Sequence, residues 1–172
     1  MSLLTNIVIV VAVVASMELV ARFSHKYIMH GWGWAWHRSH HVPRHGVFER
    51  NDLFAVVFAV PSILLIYLGT HHQHPVLWVG VGMTIYGFLY FFVHDGLVHK
   101  RWPFRIAPKG RYLVRLVQAH RLHHAVHTRE GCVSFGFLYA PSPKKLKDEL
   151  KAIHGGSFDA DAAEGNNEVV RG

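Results

Sequence analysis

Histidine is the residue type that stands out in this chain, with sixteen copies among 172 residues. Two segments share the pattern His-x2-His-His, namely His37-Arg-Ser-His40-His41 and His120-Arg-Leu-His123-His124. A shuffled chain of the same composition would contain roughly 0.13 copies of this pattern, so its occurrence twice is not a chance result of composition. Because neutral imidazole is a good ligand for iron, zinc and copper, these six histidines predict a metal site.

Two further segments share the pattern His-x4-His, namely His25 to His30 and His94 to His99. Roughly 1.4 copies are expected by chance, so this spacing is weak evidence by itself. Position is stronger evidence, because each pair lies just past the end of an apolar run and continues its predicted helix. Together with the six histidines above, these four would give five nitrogen ligands to each of two ions.

Helical geometry indicates how the histidines of one motif would be shared between the ions. At ~100° per residue, His37, His40 and His41 lie on one helix face, and the neighbours His40 and His41 diverge enough to reach different ions. The two members of each His-x4-His pair are about 140° apart on an α-helix. That angle favours one ligand to each of two ions over two ligands to the same ion.

Several other kinds of metal site are excluded by the sequence. The single cysteine, Cys132, allows neither an intramolecular disulfide nor a cysteine-type zinc site. The chain has no Glu-x-x-His pair of the soluble carboxylate di-iron bundles. It also lacks the His-Glu-x-x-His motif of zinc proteases. Six histidines lie outside the four motifs and are predicted not to be ligands, namely His45, His71, His72, His74, His127 and His154.

Three apolar runs supply the elements that must position these histidines, and they cover residues 3–21, 53–69 and 76–93. The third run, at helical rise, is about 27 Å long, which is close to the ~30 Å hydrocarbon core of a bilayer. The first run lacks the basic flank and the cleavage site of a signal peptide, so it is predicted to be a retained span. Beyond the spans, a basic amphipathic helix over 111–124 and a short helix over 144–153 are predicted.

The basic residues predict the orientation of these spans. Of the eighteen Lys and Arg, five lie between the first and second runs and thirteen follow the third, whereas the 70–75 turn has none. By the positive-inside rule, residues 22–52 and 94–172 are cytoplasmic. Because the basic residues flank apolar spans, they indicate topology and anionic headgroups rather than nucleic acid. The apolar segment 132–140 is too short to span and is expected to pack under the cytoplasmic part or to form a re-entrant segment.

The sequence therefore predicts an all-α protein, an integral membrane helical bundle of three to four spans with a cytoplasmic helical cap that holds a dimetal histidine site. Residues 1–154 would form one membrane-embedded domain, and residues 155–172 a disordered acidic tail. Three tryptophans near the second histidine motif, Trp32, Trp34 and Trp36, are interpreted as an interfacial belt or as the lining of a substrate entrance.

Acidic residues are the expected partners of the histidines. A ligating histidine usually donates its outer N–H to a carboxylate or carbonyl, so Asp95, Asp52 and Glu49 are candidates for this role, or alternatively for helix capping. Glu18 lies inside the first apolar run, where an ionisable residue is costly. It is expected to pair with Arg22, one helical turn further on.

The four histidine segments read HKYIMH, HRSHH, HDGLVH and HRLHH, with two predicted spans between the second and the third. In these motifs and their order, the chain resembles the membrane fatty-acid hydroxylase superfamily, from the first span to about Ala140, and within it the bacterial branch that hydroxylates carotenoids. The resemblance implies a non-haem centre of two iron ions, O2 as co-substrate and a ferredoxin-type electron donor, with zinc as a possible substitute in purified protein.

The resemblance also assigns the metal ligands and catalytic residues. They are His25, His30, His37, His40, His41, His94, His99, His120, His123 and His124. It further implies hydroxylation of carbon 3 on both β-ionone rings of β-carotene, giving zeaxanthin through cryptoxanthin, in a bacterial inner membrane with the active site facing the cytoplasm.

Basic residues after the third span are expected to dock an acidic electron donor, and these are Lys100, Arg101, Arg105 and Lys109. Alternative functions remain open at this point. One is a fatty-acyl or sterol hydroxylase or desaturase. Another is a divalent-metal transporter, although transporters place ligands near the membrane midplane. A third is a membrane haem carrier with paired axial histidines.

Overall fold

A computed structural model describes residues 2–42, 46, 48–72, 74–104 and 106–155, and over these ranges the chain forms helices and no strand. The helices are α1 (Leu3–Phe23), α2 (Trp34–His41), α3 (Leu53–His72), α4 (Val76–Tyr90), α5 (Gly110–His124) and α6 (Pro143–His154). A π-helical segment, Ser24–Trp32, extends α1, a second, Phe91–Val98, extends α4, and a 3-10 turn, Arg50–Asp52, precedes α3. The predicted all-α class is confirmed, and the predicted tail lies outside the described residues beyond Gly155.

Three helical stretches of the described chain are long and apolar enough to cross a membrane, namely Leu3–Trp32, Arg50–His71 and Val76–Val98. They coincide with the three predicted runs. The first and the third continue beyond the predicted ends, because the π-helical segments prolong α1 and α4. These extensions carry the His-x4-His pairs beyond the apolar part of the bundle, to the end where the other histidines lie.

Helix α4 lies between α1 and α3 and packs on both through glycines. A Cβ at Gly82 would lie 2.7 Å from Val13 Cβ on α1, and one at Gly80 would lie 2.8 Å from the Ser62 carbonyl oxygen on α3. Small residues at such contacts let helix backbones approach closely, which favours helix association in lipid. The Ser62 hydroxyl also donates a hydrogen bond of 2.8 Å to the Gly80 carbonyl.

Helices α5 and α6, here called the helical cap, cover the histidine end of the bundle. Their apolar faces form a buried cluster with the end of α4, which includes Leu97, Leu116, Leu122, Leu146 and Leu150. The amphipathic spacing of α5 and α6 accounts for this packing, because residues three and four apart share one helix face. The predicted cap helices over 111–124 and 144–153 match α5 and α6 within one residue at each end.

Segment 132–140, which precedes α6, is non-helical and packs between α1 and α4. Its backbone N–H groups at Phe137, Leu138 and Tyr139 donate to the Glu18 carboxylate at 2.7, 2.8 and 3.2 Å. The Tyr86 hydroxyl donates to the same carboxylate at 2.9 Å. Non-helical backbone at membrane depth requires partners within the protein, and Glu18 supplies them.

This arrangement corrects one expectation. Glu18 is bound by the three amides and Tyr86, so the predicted pairing of Glu18 with Arg22 is wrong. Glu18 lies five residues before the end of α1, which is about 8 Å of helix. Segment 132–140 therefore packs beside α1 and α4 at the level of Glu18, and the re-entrant interpretation stays a prediction.

We expect Glu18→Ala to lower the free energy of unfolding by about 2 kcal/mol, because charge-assisted hydrogen bonds to partly buried amides are lost together. Thermal unfolding in detergent micelles measures the loss, and limited proteolysis at 132–140 shows where it occurs. Glu130→Ala is the matched control, because the Glu130 side chain is 83% exposed. Equal melting temperatures for the two variants would contradict the assigned role of Glu18.

Candidate metal centre

The structure brings all ten predicted histidines together at the capped end of the bundle. The first group consists of His25, His30, His37, His41 and His123, whose ligand atoms all lie within 4.8 Å of one another. The second group consists of His40, His94, His99 and His120, which meet the same limit. His124 adjoins the second group, since its Nε2 lies 2.9 Å from Nε2 of His120. The two groups can each hold one metal ion.

The π-helical segments change how the His-x4-His pairs are shared. His25 and His30 both belong to the first group, and His94 and His99 both belong to the second. The prediction of one ligand to each ion, which assumed α-helical geometry, is therefore wrong for both pairs. In a π-helix the hydrogen bonds join residues five apart, as between the His99 N–H and the His94 carbonyl at 2.9 Å. Residues five apart consequently lie on the same side of the helix.

The two His-x2-His-His motifs divide between the groups as predicted from α-helical geometry. On α2, His37 and His41 face the first group and His40 faces the second. On α5 the assignment is reversed, because His123 faces the first group, whereas His120 faces the second and His124 adjoins it. Each motif therefore bridges both ion positions, which fixes their separation.

The spacing of the inner nitrogens matches the geometry of a bound ion. Neighbouring Nε2 atoms in the first group are separated by 3.1 to 3.2 Å, and those in the second group by 2.9 to 3.3 Å. Two imidazole nitrogens bound at ~2.1 Å and at a right angle on one ion lie about 3.0 Å apart. The donor sets therefore fit ions with about five nitrogen ligands each.

The outer nitrogens show that these close contacts are not hydrogen bonds. In four rings of the first group, Nδ1 donates to a backbone carbonyl at 2.8 to 3.2 Å. The donor and acceptor residues are His25 and Phe135, His30 and Arg129, His41 and Val126, and His123 and Val133. A carbonyl only accepts, so the proton of each neutral ring is on Nδ1. The Nε2 atoms then present lone pairs to one another, an arrangement that a cation stabilises.

Burial keeps the rings outside the spans neutral. Burial lowers the pKa of His37 to about 3 and that of His41 to about 4. It also lowers the pKa of His40, His120 and His123 well below the usual histidine range, and neighbouring histidines lower it further. Neutral imidazole is the form that binds metal, so the site is prepared for cations near neutral pH.

Carboxylates lie on the side of the second group. Nδ1 of His40 donates to Glu49 Oε1 at 2.9 Å, and Nδ1 of His94 donates to Asp95 Oδ1 at 2.8 Å. These contacts confirm two of the three predicted acidic partners. Asp52 has the alternative role, since its carboxylate accepts from the Glu49 backbone N–H as a cap and also binds Arg101 at 2.7 Å.

Arg101 lies within this network rather than on an open basic surface. Its guanidinium contacts Asp52, Glu49 and Asp95, and the side chain is 16% exposed. Hydrogen bonding to Asp52 raises the pKa of Arg101, so it remains charged. The expectation that Arg101 docks an electron donor is therefore wrong, and Arg105 lies outside the described residues.

Some contributors to the site were not anticipated from the sequence. Asn51 is buried and accepts a hydrogen bond from His37 Nδ1 at 2.7 Å. Tyr90 stacks on His94, with ring centroids 4.4 Å apart. Backbone carbonyls in segment 126–135 orient four rings, and a backbone atom leaves no signal in residue type. For Asn51, its position beside Asp52 and near the HRSHH motif is the one sequence feature that indicates a role in the site.

An apolar cavity of about 460 Å³ leads to the histidines from between the spans. Its wall on α3 is formed by pairs of neighbouring residues that recur every four positions, from Phe54 and Ala55 to Ser62 and Ile63. Helix α4 and its π-helical extension contribute the opposite wall, from Met83 to Phe91. Histidines of both groups line its inner end, including His25 and His94. None of the three tryptophans lines it, and Trp34 instead packs on His30 and His41.

Comparison with known proteins agrees with this geometry. A family model described as fatty acid hydroxylase matches residues 10–141. The chain belongs to the fatty acid hydroxylase family. Two bacterial relatives in this hydroxylase family are each 60% identical to it: a beta-carotene hydroxylase of Pantoea ananas over 97% of both chains, and one of Pseudescherichia vulneris over 94% of this chain and 92% of the relative.

More distant members of the hydroxylase family come from plants. The chloroplastic beta-carotene hydroxylase 2 of Capsicum annuum is 44% identical over 142 residues, which cover 80% of this chain and 45% of the relative. No solved structure matches this hydroxylase significantly.

We expect the metal-free hydroxylase to lose stability as the pH falls below about 6.5, the ordinary pKa of histidine in an unfolded chain. The pKa values of about 3 and 4 for His37 and His41 mean that the folded state binds fewer protons than the unfolded state in this range. Each ring then costs up to about 1.4 kcal/mol for each pH unit. Melting temperatures of chelator-treated protein between pH 7.5 and 5 measure the effect. A melting temperature that is constant or rises on acidification would contradict it, and added Zn²⁺ should move the transition to lower pH.

Proposed function

We propose that this chain is a β-carotene 3-hydroxylase, which hydroxylates the β-ionone rings of β-carotene to give zeaxanthin by way of cryptoxanthin. The observation that carries the proposal is the pair of histidine groups at the inner end of an apolar cavity between the spans. The names of the bacterial relatives, at 60% identity over nearly the full chain, support the choice of substrate.

The ten histidines would hold two iron ions, with zinc as a substitute in isolated protein. Imidazole suits both metals, and the nitrogen spacing fits either. Two bound iron ions, with O2, two electrons and two protons, would supply the oxidation that converts an unactivated C–H bond to C–OH, with the second oxygen atom leaving as water. The protein's own residues orient the ligands, exclude water and place the substrate.

The cavity is suited to one end of a long apolar molecule. Its wall on α3, from Phe54 to Ile63, covers nine helical steps, or about 14 Å. Phe135, Phe137 and Tyr90 surround the inner end near the histidines. A ring that enters from the bilayer would therefore be held next to both groups, with the rest of the molecule extending along the spans.

Small residues leave room for such a substrate. Ala55 and Ala59 on α3 and Gly87 on α4 line the cavity, and a Cβ at Gly87 would meet nothing within 4 Å. Away from the histidine end the lining is mostly apolar, so binding would rely chiefly on burial of hydrocarbon. This suits a carotenoid, whose ring and polyene chain are hydrocarbon.

The distribution of basic residues supports a cytoplasmic site in a bacterial inner membrane. A reductant of the ferredoxin type would supply the electrons, and exposed Lys100 and Lys109 remain candidates to dock its acidic surface. A divalent-metal transporter is disfavoured, because the histidines lie at one end of the bundle. A haem carrier is disfavoured as well, because the inner nitrogens converge too closely for a porphyrin to lie between them.

His123→Ala should abolish hydroxylation and reduce the bound iron of purified protein. This fully buried ring belongs to the first group, and its Nε2 lies 3.2 Å from Nε2 of both His30 and His41. The readouts are carotenoid products in β-carotene-producing cells and iron content by elemental analysis. His127→Ala is the matched control, since His127 is exposed and belongs to neither group. Unchanged zeaxanthin production by the His123 variant would refute the ligand assignment.

Ala59→Phe should lower kcat/KM for β-carotene at least about tenfold while leaving the iron content unchanged, because the larger side chain occupies the cavity. Val60→Phe is the control, since Val60 neighbours Ala59 on α3 but faces outward and is exposed. The measurement is the rate of hydroxylation in reconstituted vesicles together with metal analysis. Equal rates for the two variants would show that the substrate takes another route.

A further inference from the structure

The outer nitrogens of the first group donate only to neutral acceptors. Four of the five rings donate to carbonyls of residues 126–135. The fifth, His37, donates to the amide oxygen of Asn51 at 2.7 Å. These partners orient the rings and fix their tautomers, but they add no formal charge beside the ion position.

The second group has charged partners instead. His40 donates to Glu49 and His94 donates to Asp95, at 2.9 and 2.8 Å. The Glu49 side chain is 3% exposed and that of Asp95 is 16% exposed, so water screens these charges weakly. Arg101 contacts the same two carboxylate oxygens at 3.2 and 3.3 Å and thereby holds both carboxylates in place.

The difference between the two kinds of partner affects the ions directly. A carboxylate that accepts from Nδ1 makes the imidazole a stronger base, so Nε2 binds a metal ion more tightly. Its negative charge also attracts the cation, and this attraction is larger where water is excluded. A carbonyl or amide oxygen orients the ring equally well, yet contributes a dipole rather than a full charge.

We propose that the second group is the position of higher metal affinity, that it fills before the first group, and that Glu49 and Asp95 set this order as positioning residues. The inference rests on the proposed function, because it requires that two ions bind. It goes beyond that function by making the two positions chemically unequal and by assigning the inequality to two side chains that bind the ligand rings rather than the ions.

The unaltered protein provides the first test. Full-length, metal-stripped protein in detergent is titrated anaerobically with ⁵⁷Fe²⁺ and followed by Mössbauer spectroscopy. We expect one quadrupole doublet for the first equivalent and a second, distinct doublet for the next, with affinities at least about tenfold apart. Equal affinities with a single doublet would overturn the inference and leave the proposed function standing. Failure to bind iron at all would overturn the proposed function itself.

Variants then test which residues set the order. Glu49→Gln and Asp95→Asn keep an acceptor oxygen but remove the charge, and each should weaken the tighter position by about 10- to 100-fold while leaving the weaker one nearly unchanged. The reciprocal variant, Asn51→Asp, places a carboxylate behind His37 and should tighten the weaker position by a similar factor. Asp148→Asn, on the exposed face of α6, is the control and should change neither.

Two results would contradict the assignment to these residues. One is equal weakening of both positions by Glu49→Gln and Asp95→Asn, which would indicate a general loss of structure. The other is an Asn51→Asp protein whose two affinities differ as much as in the unaltered chain. The second result remains informative even if the charge-removing variants fold poorly, because Asn51→Asp retains every hydrogen-bond acceptor.

Discussion

The close approach of unprotonated imidazole nitrogens is the constraint on which the rest of this structure depends. His123 Nε2 lies 3.2 Å from Nε2 of both His30 and His41, and each of these rings directs its only proton outward to a carbonyl. Such an arrangement repels itself unless a cation lies between the nitrogens. The structure therefore has to hold the rings in place from outside, through segment 126–135 and through the buried cluster of the helical cap.

The two ends of the bundle serve different purposes. Towards the lipid, α4 packs on α1 and α3 through Gly80 and Gly82, and the cavity between them is apolar. Towards the cap, α1 and α4 change to π-helical winding and present their histidines in pairs. A short π-helical segment that directly continues a span thus places two histidines in the same group.

The fold and the clustering of the ten histidines could be predicted from the sequence, because apolar runs and repeated motifs are local patterns. The sharing of the His-x4-His pairs could not, since π-helical winding of His25 to His30 has no signature in residue type. Nor could the role of Glu18, because its partners are backbone amides more than a hundred positions away in the chain. Side chains that contact backbone atoms are invisible to reasoning from residue types, and they position much of this site.

The contact between Glu18 and segment 132–140 has a consequence for biosynthesis. The ribosome synthesises α1 long before residues 137–139. Glu18 in the first span therefore lacks these hydrogen-bond donors when α1 enters the membrane. The bundle is complete only when segment 132–140 folds back beside α1. Because the same returning segment supplies the carbonyls behind His25 and His123, the first histidine group takes its final shape at that moment. Insertion into the membrane and maturation of the metal centre are thereby made successive steps of one process.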